Sequence, residues 1–337
     1  MAGSTPESPI DSPSPGHLHD VLAAMPASGV PAGLGRSDGG SAASARSVSL
    51  LADSWRRFRR HKLALASLFV LGLMVAMVLF GPLVWKLAIN EIDFSARLKP
   101  PTWKHPFGTD DLGQDIFARM LYGGRISLAV GVAAMAMAIM VGVTIGSIAG
   151  MSRGRIDAAL MWLTDLFLSL PQLPLLLLLI YLFRDGLKAA FGPEVGVFLL
   201  IVFVIGGFRW MPVARLVRAQ FFSLREKEFV EAARALGAST SRQVVRHILP
   251  NALGPVIVAG TIDVAAAIIA ESTLSFLGLG FPPDIPTWGR ILYDSKEYLD
   301  IATYWAMFPG AAISVAVLCI NFIGDGLRDA LDPRDVQ

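Results

Sequence analysis

Charged residues are scarce in this sequence: Asp, Glu, Lys and Arg make up 17% of its 337 residues. Soluble domains typically carry about 25% charged residues. Apolar residues account for 54%, and the mean hydropathy is +0.56. This composition leaves too little charge to cover a water-exposed surface, which argues against a soluble enzyme and against a chain that is disordered throughout. It predicts a protein whose main solvent is the lipid bilayer.

Cysteine is also rare in this sequence, and two common catalytic motifs are absent. The single cysteine, Cys319, excludes an internal disulfide and a cysteine-based metal cluster. No Gly-Lys dipeptide occurs, so the chain has no phosphate-binding P-loop with which to hydrolyse ATP. The pattern His-Glu-x-x-His is absent as well. These absences predict a chain with no catalytic residue, metal or cofactor of its own.

Long apolar runs are what the sequence has instead, and they predict an all-α membrane protein with six transmembrane helices. A helix needs about 20 residues to cross about 30 Å of hydrocarbon. The third run contains Asp165 and should be kinked by Pro171 and Pro174, and Arg209 interrupts the fourth. The predicted spans cover residues 63–85, 126–152, 158–183, 195–214, 253–277 and 301–324.

The distribution of basic residues predicts that both termini lie inside the cell (N-in, C-in). In that orientation nineteen of the 29 Lys and Arg residues lie on the inner side of the membrane and ten on the outer side. Residues 1–45 are rich in Ser, Pro, Gly and Ala. They can bury little apolar surface, so we expect a disordered cytoplasmic tail.

The hydrophilic loop between the fourth and fifth spans has a regular pattern. Residues 226–236 favour a helix that Gly237 can end in a left-handed conformation. Ser239 or Thr240 can cap a second helix, which Pro250 is expected to end. Three small residues are expected to be exposed, where a partner could approach closely: Ala232, Ala233 and Ala235. An ordinary pair of surface helices would give the same pattern, so spacing alone does not decide the function.

The same loop resembles the EAA motif of ABC importer permeases, which reads Glu-Ala-Ala, three residues, Gly, nine residues and Ile-x-Leu-Pro. His247 stands where the motif has Ile, and the other positions match: Glu231, Ala232, Ala233, Gly237, Leu249 and Pro250. Further strings resemble the peptide-transport branch of the family, at 107–110, 113–115, 124–128, 274–280 and 324–329. From about residue 50 to 335 the chain is similar to the C-type permease subunit of dipeptide or oligopeptide ABC importers.

The resemblance implies a type I ABC importer permease fold in the bacterial inner membrane, with the motif residues docked on an ATPase subunit. It also implies the partners: a homologous second permease, two ATPase subunits that bind ATP and Mg²⁺, and a periplasmic substrate-binding protein. No nucleic acid is implied. The chain then divides into a tail (1–45), a first helix with its periplasmic loop (46–125), a permease domain (126–327) with the coupling loop 215–251, and a cytoplasmic C-terminal tail (328–337).

Three acidic residues within the predicted spans are candidates for the transport pathway, because charged groups inside a membrane tend to face a bundle interior or a cavity. They are Asp165, Asp263 and Glu271. Asp263 is the best placed of them. Glu271 could simply be interfacial, and Asp165 could pair with Arg153 or Arg155. For each of the three, a structural ion pair or hydrogen bond is the alternative interpretation.

The outer segments 86–125 and 281–300 are candidate contacts for the binding protein, and the second is predicted to be a stiff, irregular loop with Trp288 as an aromatic anchor. Nickel, glutathione or antimicrobial peptides are alternative substrates within the same family. An ion-coupled secondary transporter is an alternative of a different class. It should show internal repeats with broken helices, and the sequence contains no clear repeat.

Overall fold

The computed structural model describes residues 55–152 and 154–331, and these ranges are helical with no β-strand. This confirms the predicted all-α class. The predicted disordered tail at 1–45 lies outside the described residues, as do residues 332–337 of the predicted C-terminal tail. The last helix continues to Leu331, beyond the predicted boundary at 327.

Within the described ranges, four helices are long and apolar enough to cross a membrane by themselves: α1 (Lys62–Val84), α2 (Ile116–Met151), the continuous helix Thr240–Phe276, and α11 (Thr303–Leu331). α2 begins well before the predicted start at 126, so the end of the predicted outer loop is helical. The carboxylate of Asp115 caps this start by accepting a hydrogen bond from the Ala118 N–H at 2.9 Å.

Two helix pairs pass the same length and composition test only when each pair counts as one span. α3 (Arg155–Ser169) and α4 (Gln172–Phe191) meet at 87°, and α5 (Pro193–Gly207) and α6 (Trp210–Leu224) meet at 43°. The first break coincides with Pro171, as predicted. Counted in this way, the described residues contain the six predicted spans.

The continuous helix Thr240–Phe276 has three parts, which are α8 (Thr240–Arg242), a π-helical turn (Gln243–Ile248) and α9 (Leu249–Phe276). The short helix α7 (Glu228–Ala235) precedes it, and α10 (Trp288–Ser295) follows it. α2 is central to the bundle and packs against α6, α9, α5 and α1, while α11 packs against α9 and α1.

Glycines allow α2 and α6 to approach each other closely. A Cβ atom built on Gly146 would lie 2.5 Å from the Ala214 carbonyl oxygen, which is closer than real Cβ contacts come. Gly142 and Gly150, one turn away on either side, have equally close neighbours on α6. Small residues at such spacing are what permits tight helix packing inside membranes.

The segment 281–300 corrects the prediction of an irregular loop with an available aromatic anchor. It contains α10, and the Thr287 hydroxyl caps this helix by accepting a hydrogen bond from the Arg290 N–H at 3.1 Å. Trp288 is only 1% exposed, and its indole N–H donates to the Met120 carbonyl oxygen at 3.1 Å. The indole therefore anchors the segment to α2 and is not available to a partner.

Candidate functional site

α7 ends in the left-handed glycine turn that the sequence predicts. Gly237 has φ +80°. The Ala238 N–H donates to the Ala233 carbonyl at 3.0 Å, and the Gly237 N–H donates to the Arg234 carbonyl at 2.9 Å. These two bonds form a Schellman turn, in which the residue with positive φ is usually glycine because it has no Cβ to clash.

One side of α7 is held against the bundle. Val230 is fully buried in a cluster with Phe221 and Ile248. Ala233 lies three residues further along the same face and is 9% exposed, which corrects the prediction that it is exposed. Glu231 and Ala232, together with Ala235, are exposed as expected.

The free side of α7 carries two large apolar residues that the sequence reasoning missed. Leu236, next to the glycine turn, is 89% exposed, and Phe229 is 43% exposed. Exposed apolar side chains on a polar loop are candidates for contact with another protein. The sequence signal for these two residues is their position on the polar face of a short amphipathic helix, where apolar side chains are not expected.

The second helix of the loop begins where predicted but does not end at Pro250. The Ser239 hydroxyl accepts a hydrogen bond from the Arg242 N–H at 3.4 Å. The chain then passes through the π turn, where the Leu249 N–H bonds five residues back to the Val244 carbonyl. Pro250 therefore lies directly after the π turn, inside the continuous helix Thr240–Phe276, and the predicted break at Pro250 is wrong.

A glutamine that the sequence reasoning did not single out fastens the turn between the two helices. Gln243 is 5% exposed, and its side-chain amide donates to the Ala238 carbonyl at 2.8 Å. The loop from α7 to α9 is thus ordered by its own hydrogen bonds and fused to a membrane-spanning helix.

Asp263 forms a buried ion pair with Arg209. The side chain of Asp263 is 7% exposed, and one of its oxygens accepts hydrogen bonds from Nε and Nη2 of Arg209 at 3.0 and 2.6 Å. Arg209 lies at the break between α5 and α6. The structure therefore joins this break to the middle of α9.

Glu271 differs from expectation in its burial, and Asp165 differs in its partner. Glu271 is fully buried, not interfacial, and accepts hydrogen bonds from the hydroxyls of Ser127 at 3.1 Å and Ser275 at 2.7 Å. Asp165 contacts Arg215 of α6 instead of Arg155, and Arg153 lies outside the described residues. The three acidic candidates therefore contact different groups and do not converge on one site.

The end of the bundle where α2 begins, called the outer end here, holds a cavity of about 520 Å³ between the two predicted outer segments. Arg119 is 5% exposed and lies beside two acidic groups of this cavity, 3.9 Å from Asp110 and 3.6 Å from Asp294. Burial raises the pKa of Asp110 to about 6, although Arg119 and two backbone N–H groups act in the opposite direction.

Comparison with known proteins places these features in a family. A family model described as "Binding-protein-dependent transport system inner membrane component" matches residues 142–335, which is more than half of the chain. A second model, "N-terminal TM domain of oligopeptide transport permease C", matches residues 49–101. Together the two models cover most of the region in which the sequence resembles ABC importer permeases.

Individual relatives agree with the family models. The oligopeptide transport system permease protein OppC of Bacillus subtilis (strain 168) is 38% identical over 291 residues, which cover 86% of this chain and 92% of that protein. OppC of Escherichia coli (strain K12) is 41% identical over 289 residues, with coverages of 85% and 92%. A solved structure of the MetNI methionine ABC transporter aligns with a TM-score of 0.49 at 19% identity, over 62% of this chain and 94% of that one.

The family model and the relatives confirm the resemblance drawn from the EAA motif and the peptide-branch strings. The chain belongs to the family of inner membrane components of binding-protein-dependent transport systems.

Proposed function

We propose that this chain is one of two homologous permease subunits of an ATP-driven importer in the bacterial inner membrane, and that the importer carries di- or oligopeptides. Relatives named as oligopeptide or dipeptide permeases match at 38–41% identity over at least 85% of this chain, which supports the substrate class. ATP and Mg²⁺ bind to two separate ATPase subunits, and this chain contributes no catalytic group.

The ordered loop from α7 to α9 is the observation that carries the proposal. Glu231 and Ala232 lie on exposed α7 surface, and Leu236 extends from its end. Val230 anchors the opposite side of α7, and the Schellman turn fixes the angle at which the continuous helix Thr240–Phe276 leaves it. A partner that moves α7 therefore moves a membrane-spanning helix with it.

In the proposed orientation both termini and α7 are cytoplasmic, so α7 faces the ATPase subunits. The permease domain occupies 126–327, with residues 215–251 as its coupling loop, and residues 46–125 supply the first helix and a periplasmic loop. The outer end then faces the periplasm, where the substrate-binding protein delivers the peptide.

Gly237→Val tests the coupling role. The added Cβ meets no atom within 4 Å in this chain, but a β-branched residue is strained at φ +80°. We expect the variant to insert normally and to lose peptide uptake, together with peptide-stimulated ATP hydrolysis, in proteoliposomes that contain all the subunits. Full transport by Gly237→Val would contradict the assignment.

Two controls accompany this test. Gly237→Asn should keep most of the transport, because asparagine tolerates the left-handed conformation. Gly207→Ala introduces a Cβ that also meets no atom within 4 Å, at a residue outside the loop, and should be silent. Uptake by the purified chain without its partners, driven by an ion gradient, would favour a secondary transporter instead.

A further inference from the structure

We propose that a cleft at the inner end of the bundle binds one anionic phospholipid, with its phosphate between Lys227 and Arg328 and an acyl chain along α9. The inner end is the end opposite the outer end, where α6 and α11 finish. The binding itself does not depend on what the importer carries. Its consequence for coupling rests on the proposed import function.

The cleft has a volume of about 770 Å³ and lies between α6, α9 and the last turn of α11. Its α6 wall consists of one side chain per helical turn, and these become polar toward the inner end: Leu216, Gln220 and Ser223. Its α9 wall is apolar throughout, from Ile262 at the deep end to Gly254. The cleft is therefore polar at the inner end and apolar at the deep end.

Cations flank the polar end of the cleft. Among the described residues that line it, the charged ones are Lys227, which directly precedes α7, and Arg328, in the last turn of α11. Neither side chain forms an ion pair within the part of the chain that the structure describes. Two cations without a protein counter-ion therefore share one cavity.

Nearby carboxylates do not neutralise these cations. Those closest to them in the sequence do not line the cleft: Glu226, Glu228, Asp325 and Asp329. Two of the four have other neighbours, since Glu226 lies 3.9 Å from Nε of Arg225 and Asp329 lies 3.8 Å from Nε2 of His61. The cleft thus keeps a positive charge that suits a phosphate group.

Uncharged helix segments place the apolar part of the cleft within the membrane. α9 carries no charge over Leu253–Ile262, and α11 carries none over Thr303–Gly324. Gly254 and Ile262 are eight residues apart, or about 12 Å along α9, and one leaflet contributes about 15 Å of hydrocarbon. Arg328 follows the uncharged run of α11 by four residues, or about 6 Å. The apolar wall therefore spans most of one leaflet, and the cations lie at its boundary with water.

A phospholipid matches this distribution of polar and apolar surface. Basic pockets between transmembrane helices on the cytoplasmic side bind anionic head groups. An acyl chain needs no hydrogen-bonding partner along the α9 wall, whereas an extended polypeptide would leave its backbone N–H and C=O groups unsatisfied there. The acyl chain lies in hydrocarbon whether or not the lipid is bound, so the two cations determine the preference for an anionic lipid.

Lipid binding by the purified complex tests the site. The full complex is delipidated in detergent and titrated with dioleoylphosphatidylglycerol, and native mass spectrometry counts the bound lipids. We expect the double variant Lys227→Gln/Arg328→Gln, called the cleft variant, to bind one lipid about 25-fold more weakly, since each cation beside an anionic head group changes the affinity about fivefold. Dioleoylphosphatidylcholine should bind weakly to both proteins, and sn-glycerol 3-phosphate, which has no acyl chain, should not compete.

Arg60→Gln combined with Lys62→Gln is the matched control, because it removes the same charge at the inner end but outside the cleft. Arg60 and Lys62 are exposed and lie where the start of α1 packs against α11 through Ala64 and Ala330. The control should bind the lipid as tightly as the wild type. Equal affinity in the wild type and the cleft variant, or an equal loss in the control, would overturn the inference.

Photocrosslinking tests the apolar part of the cleft and identifies what occupies it. Phosphatidylglycerol with a diazirine in its acyl chain should label the α9 segment 254–262 in the full complex, and the labelling should fall in the cleft variant. Labelling confined to other helices would overturn the inference, since it would mean that another subunit covers the cleft. Lipid binding that requires removal of residues 332–337 would also overturn it, because the C-terminal segment would then fill the cleft.

The site would connect the lipid to the proposed coupling helix. The Lys227 carbonyl accepts hydrogen bonds from the Val230 and Glu231 N–H groups at 2.9 and 3.2 Å, so Lys227 is fixed to the first turn of α7. A lipid held by Lys227 and Arg328 therefore joins the start of α7 to the end of α11. In proteoliposomes that contain all the subunits, we expect peptide-stimulated ATP hydrolysis to rise with the fraction of phosphatidylglycerol, and to rise less in the cleft variant.

The same rise in the cleft variant would contradict this consequence for coupling. Absence of peptide-stimulated ATP hydrolysis in every lipid mixture would instead contradict the proposed function. In that case native mass spectrometry still decides whether the cleft binds an anionic phospholipid.

Discussion

At the scale of single residues, the charges within the helices are the most informative groups. Arg209 ends the apolar run of α5, and its guanidinium contacts the carboxylate of Asp263 on a different span. An ion pair in such surroundings adds little net stability, but removal of one partner leaves the other charge uncompensated. This asymmetry can be measured.

Arg209→Met should therefore destabilise the protein by about 3 kcal/mol or more, whereas Arg209→Met combined with Asp263→Leu should recover most of that loss. Thermal unfolding of the purified variants in detergent, arranged as a double-mutant cycle, gives the interaction energy. Purely additive effects of the two substitutions would show that the pair is not coupled.

Asp110 makes the stability of the outer end depend on pH. Burial raises its pKa from 3.8 to about 6 in the folded protein, so the folded chain retains a proton that the unfolded chain loses. The stability that this group contributes is fully present below pH 4 and is lost as the pH rises through 6. We expect the wild type to lose stability, relative to Asp110→Asn, between pH 4 and pH 7.

Unfolding midpoints of the two proteins, measured from pH 4 to pH 8, check this expectation. Asparagine can still accept hydrogen bonds from the Leu112 and Gln114 N–H groups, which the Asp110 carboxylate accepts at 2.9 and 2.8 Å. Parallel pH profiles for the wild type and Asp110→Asn would show that Asp110 does not titrate in this range.

At the scale of helices, the contact between α2 and α6 depends on a glycine that cannot be enlarged. Gly146→Val should destabilise the protein by more than about 2 kcal/mol, because its Cβ would overlap the Ala214 backbone and α6 would have to move. Gly72→Ala on α1 is the matched control, since no atom lies within 4 Å of its added Cβ. Folded yield and thermal stability in detergent compare the two. A Gly146→Val protein as stable as Gly72→Ala would contradict this packing.

Helix positions were predictable where the signal is a long apolar run, as for α1, which occupies Lys62–Val84 against a predicted 63–85. Helix ends were less predictable. The second span was predicted to begin after Arg125, because Arg119 and Arg125 are charged. Both residues nevertheless lie within α2. Their guanidinium groups donate hydrogen bonds to carbonyl oxygens that the folded chain brings close, those of Pro283 and Val78. Continuation past Pro250 depends on a π turn, which has no recognisable sequence signal.

In the candidate site, local features were predictable from the sequence and long-range contacts were not. Gly237 and Ser239 were predictable, because turn and cap chemistry involves neighbours a few residues apart. The ion pairs Asp263–Arg209 and Asp165–Arg215 were not, because their members are 54 and 50 residues apart and meet only once the helices are packed. Composition locates such charges within spans but does not identify their partners.

At the scale of the whole molecule, the distribution of basic residues predicts the direction in which the chain crosses the membrane. Alkaline phosphatase fused after residue 100 or 300 should be active, because these positions are predicted to lie outside. Fusions after residue 238 or 337 should be inactive, and a fluorescent-protein fusion after 337 should fluoresce. The reverse pattern of activities would invert the orientation and separate α7 from any cytoplasmic ATPase.

The continuity of the helix Thr240–Phe276 has a geometric consequence, since it can act as a lever arm. Its 37 residues extend over about 55 Å. If a movement of α7 tilts this helix by about 5° about the end next to α7, the far end moves by about 5 Å. This distance is larger than the diameter of a water molecule. Glu271 and Ser275 travel with that far end. A small angle imposed at the glycine turn is thereby converted into a distance large enough to open or seal the opposite mouth of the bundle.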